Sequence, residues 1–247
     1  MRIQNSRKPD HVAIIMDGNR RYGETYLHDA GKGHEAGAEA AEAAIRACRE
    51  AGVPYLTLFA FSTDNWKRSK EEVRLLMDLF RRFVREKLEP IVSEGVRVRF
   101  IGRRDRLPRD IVLLMARVEA RSDKETRMTL TIALDYGGRD EIVRAALKLV
   151  RKALTLRVNP FFITNEQFAA CLDSGDLPDV DLLIRTGGEQ RLSGFLLWLS
   201  AYAELYFSGV PWPQFDADEF DDALAYYTLR ERRFGGDAAK EPASAAA

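Results

Sequence analysis

Val12-Ala13-Ile14-Ile15-Met16 runs straight into Asp17-Gly18-Asn19-Arg20-Arg21-Tyr22. Five consecutive apolar residues predict a strand buried on both faces, as in a parallel sheet covered by helices. A carboxylate closing such a strand falls in the crevice beyond the strand carboxyl ends, where open α/β sheets bind ligands. Gly18 lets the backbone turn close to a ligand. Two guanidiniums beside one carboxylate suit a magnesium–phosphate substrate. The stretch reads equally well as a strand-to-helix turn with a solvated charge cluster, and alone it does not separate the two.

Outward from this run the pattern repeats. Strand-like segments are predicted at Tyr55–Phe61, Val96–Ile101, Thr129–Leu134, Leu182–Ile184 and Glu204–Phe207. Helical periodicity fills the gaps at Glu35–Glu50, Glu71–Glu89, Asp110–Ala120, Arg139–Leu154 and Asp218–Arg230. The second of these carries Val73, Leu76, Met77, Phe80, Val84 and Leu88 on one stripe. Strands alternating with helices imply an α/β fold, with a central, mainly parallel sheet of about six strands surrounded by helices. The 247 residues, 46% hydrophobic, suffice for one large domain. Residues 1–236 read as that domain, and the Ala-rich 237–247 segment is expected to be disordered.

Charge excludes some partners. Lys+Arg and Asp+Glu are both 38, so no global field draws the chain to nucleic acid or anionic lipid. Arg97, Arg99, Arg103, Arg104, Arg106 and Arg109 cluster around one strand, but without interleaved aromatics they read as a solvated outer face. Cys48 and Cys171 lie in helix-like patterns and are expected to be reduced core residues. No apolar run is long enough to span a bilayer, and Arg2, Arg7 and Lys8 precede only a short strand, so a cytoplasmic protein is expected.

A second block, Asp181-Leu182-Leu183-Ile184-Arg185-Thr186-Gly187-Gly188-Glu189-Gln190-Arg191-Leu192-Ser193, again ends a strand on a charge. Ser193 is read as the N-cap of an apolar helix, Gly194–Ala203, with Glu204 at its far end. A helix N-terminus with Arg185 and Arg191 is an anion site. A third block, Phe59-Ala60-Phe61-Ser62-Thr63-Asp64-Asn65-Trp66-Lys67-Arg68, also follows a buried strand. It suits a substrate with apolar and anionic parts, or is simply a helix cap. Other templates fail. There is no Walker loop, and Gly31, Gly33 and Gly37 are misspaced for a dinucleotide fingerprint. Asn19 stands where an aspartyl-phosphatase loop has its second acid, and no nucleophile has an identifiable histidine partner.

Together these blocks resemble the cis-prenyltransferase family, the undecaprenyl diphosphate synthases and their relatives. The matching stretches are 11–22, 56–68, 134–143, 181–207 and 230–236, in order and covering nearly the whole chain from Pro9 to Gly236. The resemblance implies an α/β fold with an apolar tunnel, and an enzyme that condenses isopentenyl diphosphate onto an allylic diphosphate. The primer would be farnesyl or geranylgeranyl diphosphate, and the long-chain polyprenyl diphosphate product a glycosyl carrier lipid precursor. It implies that Asp17 coordinates Mg2+ and is indispensable, with Glu204 a second carboxylate of the metal shell. Gly18, Asn19, Arg21 and His34 would hold the allylic diphosphate, with Arg20 and Tyr22 alongside. Arg185, Arg191, Leu192 and Ser193 would hold isopentenyl diphosphate. Asn65, with Ser62 nearby, would assist proton removal, supported by Thr63, Asp64, Trp66 and Arg68. Met77, Phe80 and Met128 would limit chain length. Arg233-Phe234-Gly235 resembles the tail that reaches into a neighbouring subunit, implying a homodimer. Product release is expected at a membrane surface, so the protein would be cytoplasmic or peripheral to the membrane.

Departures from the family pattern are Arg20 for glycine, Tyr22 for tryptophan, Ala30 for arginine, Gln190 for histidine and Gly194 for asparagine. Arg20 is expected to replace the guanidinium missing at position 30. Alternatives are a short-chain or non-standard-acceptor prenyltransferase, and a catalytically silent partner subunit, which would lack the acid at position 17. A nicotinamide-dependent oxidoreductase ranks behind both.

Overall fold

A computed structural model describes residues 8–156 and 162–230. Arg233–Gly235, the tail from Asp237, and Arg2 and Arg7 lie outside the described residues. Six strands form one sheet: β1 (His11–Ile15), β2 (Tyr55–Ser62), β3 (Val96–Ile101), β4 (Met128–Tyr136), β5 (Leu182–Arg185) and β6 (Glu204–Phe207). Their order is β3-β4-β2-β1-β5-β6, with every neighbouring pair parallel. The chain builds outward from β1 on one side, then returns to its other side with β5. The strand order therefore reverses at β1, the position where doubly wound sheets open a ligand crevice.

Eight helices are described: α1 (Asn19–Tyr22), α2 (Ala30–Glu50), α3 (Lys70–Phe83), α4 (Glu89–Ser93), α5 (Arg109–Ser122), α6 (Gly138–Leu156), α7 (Asn165–Ala169) and α8 (Ala217–Thr228). Asp29 caps α2 by accepting from the Gly31 and Lys32 amides. The predicted 71–89 helix continues to Ser93 through a π turn at Val84–Leu88. Pro90 has no N–H to give the Glu86 carbonyl, which accounts for the widened turn.

The two faces of the sheet bury separate cores. Val12 and Ile14 pack with residues of α2, α3, α4, α5 and α8. Ala13 and Ile15 point the other way, onto Leu177, Val180, Phe195, Leu196 and Leu199. This double burial is why β1 reads as an unbroken apolar run rather than an alternating one. Cys48 and Cys171 are buried and free.

One predicted element does not form. Residues 194–203 are turns, not a helix. Ser193, Gly194 and Leu196 have φ of 48°, 75° and 41°, which an α-helix of L-residues does not accommodate. The apolar pattern there was real, but it records Phe195, Leu196 and Leu199 dropping into the core beneath the sheet. The arginine-rich strand β3 lies at a sheet edge, as expected, and its guanidiniums are paired: Arg97 with Asp123 at 2.9 Å, Arg99 with Asp176 at 2.6 Å.

Candidate active site

At the reversal point, β1 and β5 end side by side, with Ile15 in register with Arg185. Asp17 follows one strand and Arg185 closes the other, so two residues far apart in sequence become ion-pair partners. Arg185 Nη2 donates to Asp17 Oδ2 at 2.7 Å. The Arg185 side chain is only 4% exposed while that of Asp17 is 31% exposed, so the carboxylate looks into the cleft from a buried cation. Arg185 Nη1 also donates to Ser193 Oγ, at 2.8 Å, and to the Arg191 carbonyl. Ser193 thus acts as an acceptor for Arg185, not as a helix cap.

Gly18 lies in the left-handed region at φ 105°, and a Cβ there would meet Pro211 at 2.9 Å. Its amide donates to Asp17 Oδ1 at 2.7 Å, fixing the carboxylate rotamer. Thr186 Oγ1 receives the Asp17 amide at 3.0 Å and donates to the Asp17 carbonyl at 2.8 Å. Arg21 Nη1 donates to the Gly187 carbonyl at 3.0 Å, tying the first cluster to the second.

The resulting cleft has an open volume of about 1590 Å³, solvent included. Its walls include Asp17, Gly18, Asn19, Arg20, Arg21 and His34 on one side, and Arg185 and Ser193 on another. Ser62, Asp64, Asn65 and Arg68 complete the rim. Ser62 and Asn65 form a reciprocal cap on the Thr63–Lys67 3-10 turn, with the Ser62 amide donating to Asn65 Oδ1 at 2.9 Å. The capping reading of this block holds, and the residues that cap the turn also line the cleft.

Burial, reinforced by the nearby Arg68 charge, holds the His34 pKa below its ordinary value, so its ring is neutral near pH 7. Glu72 gathers two cations, Arg68 at 2.9 Å and Arg20 at 4.0 Å, with the neutral His34 ring 3.9 Å away. Arg20 also pairs with Glu24 at 2.8 Å and is 63% exposed, on the rim. Glu72 carried no motif of its own; only packing of α3 against α2 places it here.

Other expected site residues lie elsewhere. Tyr22 packs on Tyr26, 5.0 Å between ring centroids. Thr63 faces an adjoining recess with Gly137 and Ser193. Leu192 packs on the second core, and Arg191 is exposed, its guanidinium paired with Glu189. Glu204 requires a correction as a partner of Asp17 within one chain. The register aligns Glu204 with Leu182 and Val12, so it lies at the opposite ends of the strands from Asp17. Five residues of strand rise separate the two levels by roughly 16 Å. Glu204 instead accepts from Arg230 at 3.2 Å.

Beyond the polar cleft lies an apolar cavity of about 700 Å³, open solvent included, that shares Met16, Asn19, His34, Ala60 and Leu76 with it. Met77, Phe80, Phe83, Ile132, Leu134 and Trp212 continue its wall. Met77 and Phe80 fall where a tunnel reading puts them. Met128 does not line the cavity, because it opens β4 beside Val96 and is 1% exposed. The Trp212 wall was not legible in the sequence; its indole donates to the Gly37 carbonyl at 2.7 Å.

A cleft lined by Asp17, Arg20, Arg21 and Arg185 at the switch point of a parallel sheet opens directly into an apolar cavity, an arrangement that suits a ligand with an anionic head and a greasy tail. Comparison with known proteins agrees. A family model described as "Putative undecaprenyl diphosphate synthase" matches residues 15–235. An isoprenyl transferase of Aquifex aeolicus is 50% identical over 227 residues, covering 92% of this chain and 96% of the relative. Isoprenyl transferase 2 of Bradyrhizobium diazoefficiens is 46% identical over 235 residues, covering 95% and 93%. Among solved structures, lavandulyl diphosphate synthase from Lavandula x intermedia, in complex with dimethylallyl diphosphate, superposes with TM-score 0.90 at 35% identity, covering 92% of this chain and 98% of that one. A probable undecaprenyl diphosphate synthase from Campylobacter jejuni gives 0.77 at 34% identity, covering 92% and 99%. The chain belongs to the undecaprenyl diphosphate synthase family of prenyltransferases. It is a prenyltransferase enzyme of the cis type.

Proposed function

We propose that this enzyme condenses isopentenyl diphosphate onto a farnesyl or geranylgeranyl diphosphate primer, repeating the step to build a long-chain polyprenyl diphosphate. The observation that carries the reading is the Asp17–Arg185 pair joining two strand-end anion clusters at the mouth of an apolar cavity. In each step the allylic C–O bond breaks, a C–C bond forms to the isopentenyl double bond, and one isopentenyl proton is lost. Gly18, Asn19, Arg21 and His34 hold the allylic diphosphate, and Arg185 and Ser193 hold that of isopentenyl diphosphate, joined by Arg191 once it exchanges Glu189 for the diphosphate. Asn65, oriented by its bond from the Ser62 amide, assists removal of the proton. Trp66 and Arg68 support its turn.

Among the described residues no group of three or more His, Cys, Asp or Glu side chains converges on a metal position. That suits magnesium, which is commonly held by one or two carboxylates together with substrate phosphates and water. Asp17 supplies the protein carboxylate at the cleft. Bound Mg2+ would supply electrostatic stabilisation of the departing diphosphate. Preorganised donors at that charge are generally the largest catalytic contribution, with Arg185 and Arg21 already fixed by hydrogen bonds.

A homodimer belongs to the same reading. Helix α6 leaves Val143, Leu147, Val150 and Leu154 exposed at 59%, 54%, 56% and 78%, an i, i+4, i+7, i+11 stripe of the kind that a second copy covers. No described helix is long and apolar enough to cross a membrane. We place the enzyme in the cytoplasm, consistent with its free buried thiols, with release of a greasy product at a membrane surface and the product serving as a glycosyl carrier lipid precursor.

Incubation with Mg2+, labelled isopentenyl diphosphate and primers of graded length, followed by sizing of the products, tests the reading. Long products from a C15 or C20 primer are expected, with Asp17→Ala lowering the rate by at least ~10²-fold. No incorporation with any primer, or equal incorporation by Asp17→Ala, overturns it.

A further inference from the structure

Asp135 is a buried carboxylate with no place in the chemistry above. It sits near the end of β4, fully buried, at φ 50°, a left-handed conformation uncommon for a residue with a Cβ. The β2–β4 register explains why. Phe61 pairs with Leu134 and Ser62 with Tyr136, so Asp135 is the unpaired residue of a bulge. Bulges re-aim side chains, commonly beside active sites. This bulge lies where β2 ends and the Ser62–Asn65 rim begins.

The carboxylate gathers two other segments. Trp66 Nε1 donates to Asp135 Oδ1 at 2.8 Å. Arg106 donates from Nε to Oδ2 at 2.9 Å, and from Nη2 to Oδ1. The Arg106 guanidinium also lies 5.9 Å from the Trp66 ring centroid, so one cation holds both the acid and the indole. The Asp135 carbonyl accepts from the Arg103 amide at 3.0 Å. The Trp66 ring also packs edge-on against Phe61, with 5.2 Å between ring centroids. Trp66 is thus held by three partners, Asp135, Arg106 and Phe61, and Asn65 is its chain neighbour.

We propose that Asp135 is a positioning residue: its bulged carboxylate, locked by Arg106, clamps the Trp66 indole and thereby sets where Ser62 and Asn65 stand at the cleft. The proposal rests on the proposed role of Asn65 in proton removal. It assigns function to a residue two strands from Asp17 and to an arginine whose run reads from sequence as a solvated face.

The test uses Asp135→Asn and Trp66→Phe in the full-length protein. Asparagine tolerates the left-handed conformation and keeps an acceptor, but loses the charged fork to Arg106. Phenylalanine keeps a ring and loses the Nε1 donor. Each variant is expected to lower kcat on the order of 10- to 100-fold, the cost of misplacing a reacting group, while the KM for the allylic diphosphate changes less than about threefold. The double variant should lose no more than the worse single one, because both variants release the same indole clamp, one through its Arg106 lock and one through its Nε1 donor. A readout independent of activity is acrylamide quenching of tryptophan fluorescence. Asp135→Asn should raise quenching, and the increase should vanish in the Trp66→Phe background. Unchanged kcat, multiplied losses in the double variant, or quenching unaffected by Asp135→Asn each overturns the clamp. Wild-type protein that shows no condensation, with the quenching result intact, overturns the proposed reaction and leaves the clamp standing.

Discussion

The two ends of β1 use similar residues to opposite effect. At the N-terminal end, His11 is fully buried and both ring nitrogens are satisfied. Nδ1 lies 2.8 Å from the Pro178 carbonyl, which only accepts, so Nδ1 carries the proton and Nε2 accepts from the Thr57 hydroxyl at 2.8 Å. Asp181 accepts from the amides of Asp10 and His11. At the C-terminal end, Asn19 Oδ1, His34 Nε2 and Arg185 Nε are buried without a hydrogen-bond partner. Buried polar groups are almost always paired, so three orphans around one cleft support the proposed binding of a ligand there. One end is closed by its own hydrogen bonds; the other leaves buried polar atoms facing a cleft, where the proposed chemistry takes place.

Substitutions at the open end should therefore act on rate, and those at the closed end on stability. The largest effect is expected for Arg185→Ala, which removes the donor to Asp17 and Ser193. Its kcat should fall on the order of 10²–10³-fold in the labelled-isopentenyl assay, and a rate within threefold of wild type breaks the comparison.

At the closed end the expected effect is on folding. Burial lowers the His11 pKa from 6.5 to about 4. The unfolded chain then takes up the proton first, so the contribution is intact above pH 6.5 and is lost as pH falls toward 4. Between pH 7 and pH 5 this amounts to about 2 kcal/mol. Urea unfolding across that interval should show the loss, and His11→Gln should flatten it; a wild-type curve that is already flat contradicts the assignment.

A subtler variant is Gly37→Ala. A Cβ at Gly37 would lie 2.4 Å from Asn19 Oδ1. Asn19 must then move, and the allylic KM should rise by roughly tenfold, while thermal unfolding checks that the fold persists. The smallest effect is expected for Arg20→Gly. Arg20 lines the cleft but is exposed and already paired with Glu24, so screening limits its contribution. An allylic KM raised about threefold would support its standing in for a guanidinium at position 30; an unchanged KM would remove that role.

Much of this site was legible because strand ends are. Apolar runs stopping on Asp17 and Arg185 point to a crevice, since residues that end buried parallel strands emerge at one edge of the sheet. The cap at 62–68 was legible from residue type, because Ser62 and Asn65 are natural capping residues; that the same two residues line a cleft is visible only in the fold. The 194–203 segment was misread because periodicity reports which residues are buried, not whether the backbone between them can remain helical. Glu204 was misplaced for a related reason. Its neighbours announce a strand, but nothing local states which strand end faces the cleft; the β5–β6 register does. Glycines 33 and 37 failed as a nucleotide fingerprint because they serve close packing: a Cβ at either would strike Asn19.

The amino-acid order by itself determined the alternation of buried strands and amphipathic helices, the two strand-end charge clusters and the family, because these depend on local periodicity and on residue types at fixed spacing. Only the tertiary structure decided that β1 and β5 are neighbours, that Arg185 faces Asp17, and that Asp135 reaches Trp66. Those pairings span 168 and 69 residues of chain. They arise where the strand order reverses and where a bulge turns a side chain, and both depend on how distant segments pack.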